Sequence, residues 1–355
     1  MSRVSESPHQ YILRGSGRVL DEELYWDRVI GFLYGRVREE APALFRAVTG
    51  SRMTGILGFL NYDFFLGGRL TGGAKFLRRM GVDLSECLEP PEQLNTPRRI
   101  FQRKIRYESC RPLPEGSDAI VSPADARVIV GSCARYSAFY LKGKLFTLEE
   151  LLGRESWLDR FRECDAAVCR LTPELYHYNH TPVAGRVADI YELAGEYNSC
   201  NPRAVVEVAT PYSRNRRTVT IIDTDFPGGS RVGMVAMIEV AALMIGVVEQ
   251  CYSEEGYGAP RRVTVGMTLQ KGVPKSLFRP GSSTTILLFQ KGRVEFSDDL
   301  LFNQRRREVR SRFTLGFGLP LAETQVTVRS LIARPLGSKS SSNADFSYYD
   351  ERSSR

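Results

Sequence analysis

With 355 residues, 42% hydrophobic and 25% charged, the chain has the composition of a folded globular protein of one large domain or two, not of a disordered chain. A net charge of +8 favours an anionic partner: a membrane surface, a nucleic acid or a phosphorylated ligand. Seven scattered cysteines with no C-x-x-C pair speak against a disulfide framework or a common zinc site and suit a reducing compartment.

Residues 1–19 read as a polar N-terminal arm without the apolar region of a signal peptide. Apolar residues then recur at spacings of about three or four (Leu24, Val29, Ile30, Leu33, Tyr34, Val37), which predicts a helix within residues 20–49. Residues 53–66 (MTGILGFLNYDFFL) are strongly apolar, yet shorter than the roughly 20 residues that cross a bilayer. With Arg52, Arg69, Lys75, Arg78 and Arg79 around them, they suit a helix lying in a membrane interface; a buried core helix is the alternative. Residues 20–93 are therefore expected to be a helical, membrane-associated region. Between 94 and 112, Arg98, Arg99, Arg103, Lys104, Arg106 and Arg111 alternate with Phe101, Ile105 and Tyr107. Such a stretch either grips phosphates or forms a solvated basic face.

From Asp118 the pattern becomes β. Short runs at 127–130, 138–141, 166–171, 205–210 and 219–222 read as strands separated by turn residues. Thr147 with Glu150 forms a capping box ahead of Leu151-Leu152. Residues 232–248 are the longest apolar run, but Glu239 in its middle argues for a buried strand, or a strand and helix, over a membrane span. Near the end, Arg279-Pro280-Gly281-Ser282-Ser283 forms a turn that runs into Ile286-Leu287-Leu288-Phe289, a strand expected to be buried on both faces. Residues 337–355 are Ser-rich and charged, which predicts disorder.

Three turns carry chemistry: Ser122-Pro123-Ala124-Asp125, Tyr176-His177-Tyr178-Asn179-His180 and Ser282-Ser283. Each alone has a plain structural reading: an Asp turn, a pair of satisfied histidines, a Ser/Thr turn. Together, Asp125, His180 and Ser283 supply the orienting carboxylate, base and nucleophile that activate a hydroxyl. Spacing leaves open whether they meet.

These residues resemble the phosphatidylserine decarboxylases. Phe101-Gln102-Arg103 with Arg111-Pro112 is similar to the family's F-x-R…R-P, and Ser122-Pro123-Ala124-Asp125 to its S-P-A-D-G. Lys142-Gly143 with Leu151-Leu152-Gly153, Tyr176-His177 with His180 and Pro182, Asn215-Arg216-Arg217, and Gly281-Ser282-Ser283-Thr284 resemble its later motifs in order. Ala126, Arg216, Ser276 and Ser282 depart from the pattern. Ser282 stands where many members have glycine at the cleavage bond, and its side chain narrows the backbone geometry there, so slower cleavage is expected.

The resemblance implies an α+β fold, with a helical N-terminal membrane-facing region and a β-rich catalytic core over residues 94–336. It implies a zymogen in which Asp125 orients His180, His180 takes the proton of Ser283, and Ser283 attacks the Ser282 carbonyl. The chain then breaks into two associated pieces, the second headed by a pyruvoyl group derived from Ser283. That group would act as the electron sink for decarboxylating phosphatidylserine to phosphatidylethanolamine, with His177 returning a proton to the carbon. Arg98, Arg99, Arg103, Lys104 and Arg111 would meet the lipid phosphate and an anionic membrane surface. No metal and no nucleic acid is expected, a homo-oligomer is left open, and the expected location is peripheral, on the reducing side of a membrane. Two other readings compete: a soluble amino-acid decarboxylase of the same family, and an uncleaved lipid-binding relative.

Overall fold

The computed structural model describes residues 7–24, 32–33, 37–41, 43–45, 82–116, 118–134, 145–207, 211–242, 248–280 and 283–337. The apolar segment at 53–66 with its basic flanks, the run at 138–141, Lys142-Gly143, Gly281, Ser282 and the tail from 338 lie outside these residues. Among the described residues, no helix is long and apolar enough to cross a membrane.

The apolar run after Ser283 forms the middle of the molecule. Strand β13 (Ser283–Phe289) is buried at every position. It lies antiparallel between β9 (Met234–Ala241) and β5 (Asp165–Leu171), with Ile286 opposite Ile238 and Val168. The sheet extends on one side through β8 (Arg217–Asp223), β7 (Gly185–Leu193) and β11 (Thr268–Leu269). On the other it continues through β4 (Ala126–Ser132), β15 (Glu323–Val326), β1 (Gln10–Leu13) and β2 (Val19–Asp21). The strand order is β11-β7-β8-β9-β13-β5-β4-β15-β1-β2, and the only parallel pair in it is β1 with β15.

Strand alternation assigns two faces to β13. Leu287 and Phe289 join one core with Val130, Ala167 and Met237. Ile286 and Leu288 join the opposite core, where Leu148, Leu151 and Leu152 of a short helix, α1 (Leu148–Leu152), pack. Half of the capping box expected there forms, Thr147 accepting the Glu150 N–H at 3.4 Å, while the Glu150 carboxylate reaches the Thr147 N–H only through a bridging hydroxyl. Ser213 supplies it, taking the Thr147 N–H at 3.4 Å and donating to the Glu150 carboxylate at 3.0 Å. Over the first face lies a small sheet of β10 (Val248–Gln250), β12 (Pro274–Phe278) and β6 (Tyr178–His180), in that order.

Two expectations differ from the structure. The run at 205–210, expected as a strand, begins inside a helix, α2 (Pro202–Glu207). Pro202 fits a first helical turn and the Asn201 side chain accepts the Arg203 N–H at 2.9 Å, a start signal that outweighs the β-branched valines. The stretch expected as a polar arm instead supplies β1 and β2, with His9 buried. Its polarity is absorbed by an internal cluster: His9 Nε2 lies 2.7 Å from Glu323, and Arg170 donates to both Glu22 (2.7 and 2.9 Å) and Glu323 (2.8 Å).

Candidate active site

Ser283 opens β13. It is fully buried, and among the described residues its Oγ has no hydrogen-bond partner. Alternation puts its side chain on the same face as Thr285. Thr285 donates to the Asn179 side chain at 2.7 Å, so this face of β13 looks onto β6, the strand beside both candidate histidines.

The two rings are held differently. A carbonyl only accepts, so His177 carries its proton on Nδ1, which donates to Leu175 O at 2.8 Å. Its Nε2 is then a bare lone pair, buried without a partner. Phe101 lies against the ring at a centroid distance of 3.4 Å. Burial, with the positive charge of Arg103 adding to it, holds His177 well below the ordinary histidine value, and the Leu175 bond opposes this only in part. His180 likewise donates from Nδ1, to Gly272 O at 3.0 Å, so Nε2 accepts from the Tyr176 hydroxyl at 2.9 Å. Tyr176 in turn lies 2.7 Å from the Tyr257 hydroxyl, which the Ile105 N–H reaches at 3.1 Å. With Tyr176 donating to His180, the Tyr257 hydroxyl can donate to Tyr176, the Ile105 carbonyl at 3.1 Å being the competing acceptor for its one proton. Burial pushes His180 down to about 3, so both rings are neutral at physiological pH. Gly272 has a φ of 77°, and a Cβ there would stand 2.7 Å from Leu113 Cδ2; glycine keeps its carbonyl on His180.

Asp125 accepts from the Val328 N–H at 2.7 Å and from Arg111 at 3.2 and 3.0 Å, while Glu86 grips Arg111 from the other side at 2.6 and 2.9 Å. The Asp125 turn touches the histidine strand through the main chain: the His180 N–H donates to Pro123 O at 2.7 Å. No hydrogen bond joins the Asp125 carboxylate to the His180 ring among the described residues. Of the basic residues, Arg103 is buried and donates to the Ile100 and Glu174 carbonyls at 3.0 and 2.8 Å, and Arg111 is engaged as above. Arg98 is half-buried; Arg99 is exposed and donates to Gln93 O at 3.1 Å. The Lys104 ammonium sits 5.5 Å above the Tyr257 ring.

Other motif residues brace this arrangement from behind. Arg217 donates to Leu151 O at 2.9 Å and to the Glu150 carbonyl, holding the end of α1. Asn215 pairs with Asn198 through two bonds of 2.8 Å. Arg216, the departure in that motif, is tied to Glu192 at 2.9 Å near the surface. Ala126 lies in the core without positive φ, so its methyl group is accommodated.

Sequence reasoning did not find a buried polar network beside Ser283. Lys275 Nζ donates to Glu239 Oε2 at 2.7 Å and to Gln250 at 2.9 Å, and Gln250 donates back to Glu239 at 3.0 Å. The Ser276 hydroxyl donates to Glu239 Oε1, and the Asn179 amide donates to Ser276 at 3.2 Å. A signal was present: a glutamate inside an apolar run and a lysine four residues before the Arg279 turn both need buried partners. Tyr257 had no such signal.

The fold and site define an α+β protein whose β-rich core holds a buried serine at the head of its central strand, facing a strand flanked by neutral histidines. The chain belongs to the phosphatidylserine decarboxylase family, whose model matches residues 98–313. It is 30% identical over 235 residues to a phosphatidylserine decarboxylase proenzyme 3 of Schizosaccharomyces pombe, covering 65% of this chain and 22% of that protein. Over 242 residues it is 27% identical to the Fusobacterium nucleatum phosphatidylserine decarboxylase proenzyme, covering 68% of this chain and 75% of the relative. The proenzyme of Chlamydia trachomatis is 30% identical over 245 residues, covering 68% and 76%. The chain thus spans about a fifth of the yeast relative and three quarters of the bacterial ones.

Proposed function

We propose that the chain is a self-processing, pyruvoyl-dependent phosphatidylserine decarboxylase, cut between Ser282 and Ser283. The observation that carries the reading is the unpartnered, fully buried hydroxyl of Ser283, on the face of β13 that looks onto β6, together with the equally unpartnered Nε2 of His177. Burying polar atoms without partners destabilises a fold, and a catalytic role is one reason to keep them, which here is supported by Ser283 and His177 meeting the family's motifs. The relatives' designation as proenzymes fits a chain that must be cut.

His180 is the base for Ser283: it is neutral, its Nδ1–H is fixed on Gly272, and its Nε2 takes the Ser283 proton once it gives up the hydrogen bond from Tyr176. Asp125 orients His180 through the main chain, since the turn it anchors accepts the His180 N–H. Relieved of its proton, the Ser283 oxygen attacks the Ser282 carbonyl, the nitrogen leaves with that proton and an ester results; elimination of the Ser282 carboxylate and hydrolysis of the resulting imine, with loss of ammonia, would leave the pyruvoyl group. A pyruvoyl group derived from Ser283 supplies a ketone that condenses with the substrate amine and takes up the electrons released with CO₂. His177, beside the Phe101 ring, takes up a proton from solvent at its Nε2 and passes it to the substrate carbon. Arg98, Arg99 and Lys104 face the lipid phosphate and an anionic membrane surface, to which the protein binds peripherally on its reducing side. Arg103 and Arg111 contribute by holding Glu174 and Asp125 in place.

Intact mass spectrometry under denaturing conditions tests this. Wild type is expected as two pieces that meet at 282/283, the second without a free amino terminus, and Ser283→Ala as one full-length inactive chain. A wild-type preparation that is active yet wholly uncleaved would overturn the reading.

A further inference from the structure

We infer that the buried network of Glu239, Lys275, Ser276, Asn179 and Thr285 is a positioning device that fixes Ser283 against the strand of the two histidines. The inference rests on the function proposed above. All five side chains are fully buried. Cross-strand partners share a face, and Thr285 is opposite Glu239 while Ser283 is opposite Ala241, so the network covers the face on which Ser283 opens. At its far end it reaches Asn179, which lies two residues after His177 and directly before His180.

The way Lys275 enters the network is informative. The pairing of β12 with β6 slips between Pro274, opposite His180, and Ser276, opposite Asn179, so Lys275 is the extra residue of a β-bulge. In a regular strand Lys275 and Ser276 would point to opposite faces. The bulge turns both onto one carboxylate, with Lys275 on Glu239 Oε2 and Ser276 on Oε1. Ser276 replaces the glycine expected at this position of the motif, and its hydroxyl is the link between Glu239 and Asn179.

An ion pair taken wholly out of water seldom adds net stability, whereas it does impose one arrangement on the groups around it. Here the arrangement is the offset between β6 and β13. The Thr285–Asn179 bond joins the two strands directly, and the Ser276 bond holds Asn179 from the other side. If that offset loosens, both histidines move relative to Ser283 at once. A displacement of about 1 Å between reacting groups lowers a rate by about 100-fold.

The test follows zymogen cleavage in cell-free translation, with pulse-labelled chain chased on denaturing gels. Thr285→Val keeps the β-branched shape and removes the hydroxyl; its cleavage half-time is expected to lengthen about 10- to 100-fold, with Thr285→Ser restoring it. Ser276→Gly removes the second link without adding atoms and is expected to slow cleavage in the same direction. A purely structural role would lower the unfolding midpoint in these variants and leave the half-time unchanged. Should Thr285→Val fail to fold, the Ser276→Gly half-time decides. Wild-type half-times in the folded variants, or a Thr285→Val defect that serine does not relieve, overturn the inference while the proposed function stands. A wild type that never cleaves refutes both.

Discussion

Acid should destabilise this protein through its two buried histidines well before its carboxylates matter. In the folded chain His180 is pushed down to about 3 and His177 lies well below the ordinary value of 6.5, burial being the main cause for both. In the unfolded chain both return to about 6.5, so between that pH and about 3 the unfolded state binds more protons. Stability is then fully present above about pH 6.5 and is lost as pH falls through the window. At pH 5 the His180 ring costs about 2 kcal/mol, out of a typical total of about 5–15 kcal/mol, and His177 adds to it in the same direction. Urea unfolding of Ser283→Ala at fixed ionic strength, from about pH 7.5 to about pH 5, measures this on a chain expected to stay in one piece, with coincident transitions by two probes as the check on two-state behaviour. Histidine-selective ¹³C labelling gives a direct check, because the protein has three histidines and two should not titrate down to about pH 5. A urea midpoint that is flat or rises as pH falls from about 6.5 to about 5, or two ring signals moving near 6.5, would refute the reasoning.

The two histidines should also separate in function: His180→Ala is expected to block cleavage, whereas His177→Ala should leave cleavage largely intact and impair CO₂ release. Identical cleavage defects in both would show the roles to be divided wrongly. Arg170→Met leaves Glu22 and Glu323 buried beside each other without their shared cation, and should destabilise by about 3–5 kcal/mol in urea unfolding; a loss below about 1 kcal/mol contradicts the cluster's importance. The wild-type protein should float with anionic vesicles at low salt and release as salt rises, since exposed charges are screened within about 10 Å at 0.1 M. Protein that stays in the soluble fraction at low salt counts against membrane association.

What the sequence made legible was local. The runs that became β5, β8, β9 and β13 announce themselves because a strand buried on both faces needs consecutive apolar residues. Strands β1 and β2 carry no such run: Ile12 and Val19 make a small apolar cluster with Val309 and Ala322, and ion pairs and main-chain bonds hold the rest of that edge. Residues 205–210 misled because valine favours strands, and the decisive signals, Pro202 and Asn201, precede the run. In the site, Asp125, His177, His180 and Ser283 could be picked by chemical type. Which atoms they touch could not: Tyr257 reaches Tyr176 across 81 residues, and Lys275 reaches Glu239 across 36. Contacts of that reach are set by sheet order, and the bulge that turns Lys275 inward has no signature in the sequence around it.

The order of strands in the main sheet has a consequence for a chain severed before Ser283. In the main sheet the chain beyond the cut is stitched into what precedes it at two seams, β13 between β9 and β5 and β15 between β4 and β1, and a third lies outside that sheet, where Leu331–Pro335 pairs with Ile120–Val121. Neither piece could assume this arrangement by docking ready-made against the other, since two slots would have to open together. On the proposed cleavage, folding would come first and scission second. The end created by the cut would belong to a seven-residue strand laced on both sides by main-chain hydrogen bonds. A reactive group formed there would be aimed by the sheet's own backbone, so the part of the enzyme that moves least would carry the atom that does the chemistry.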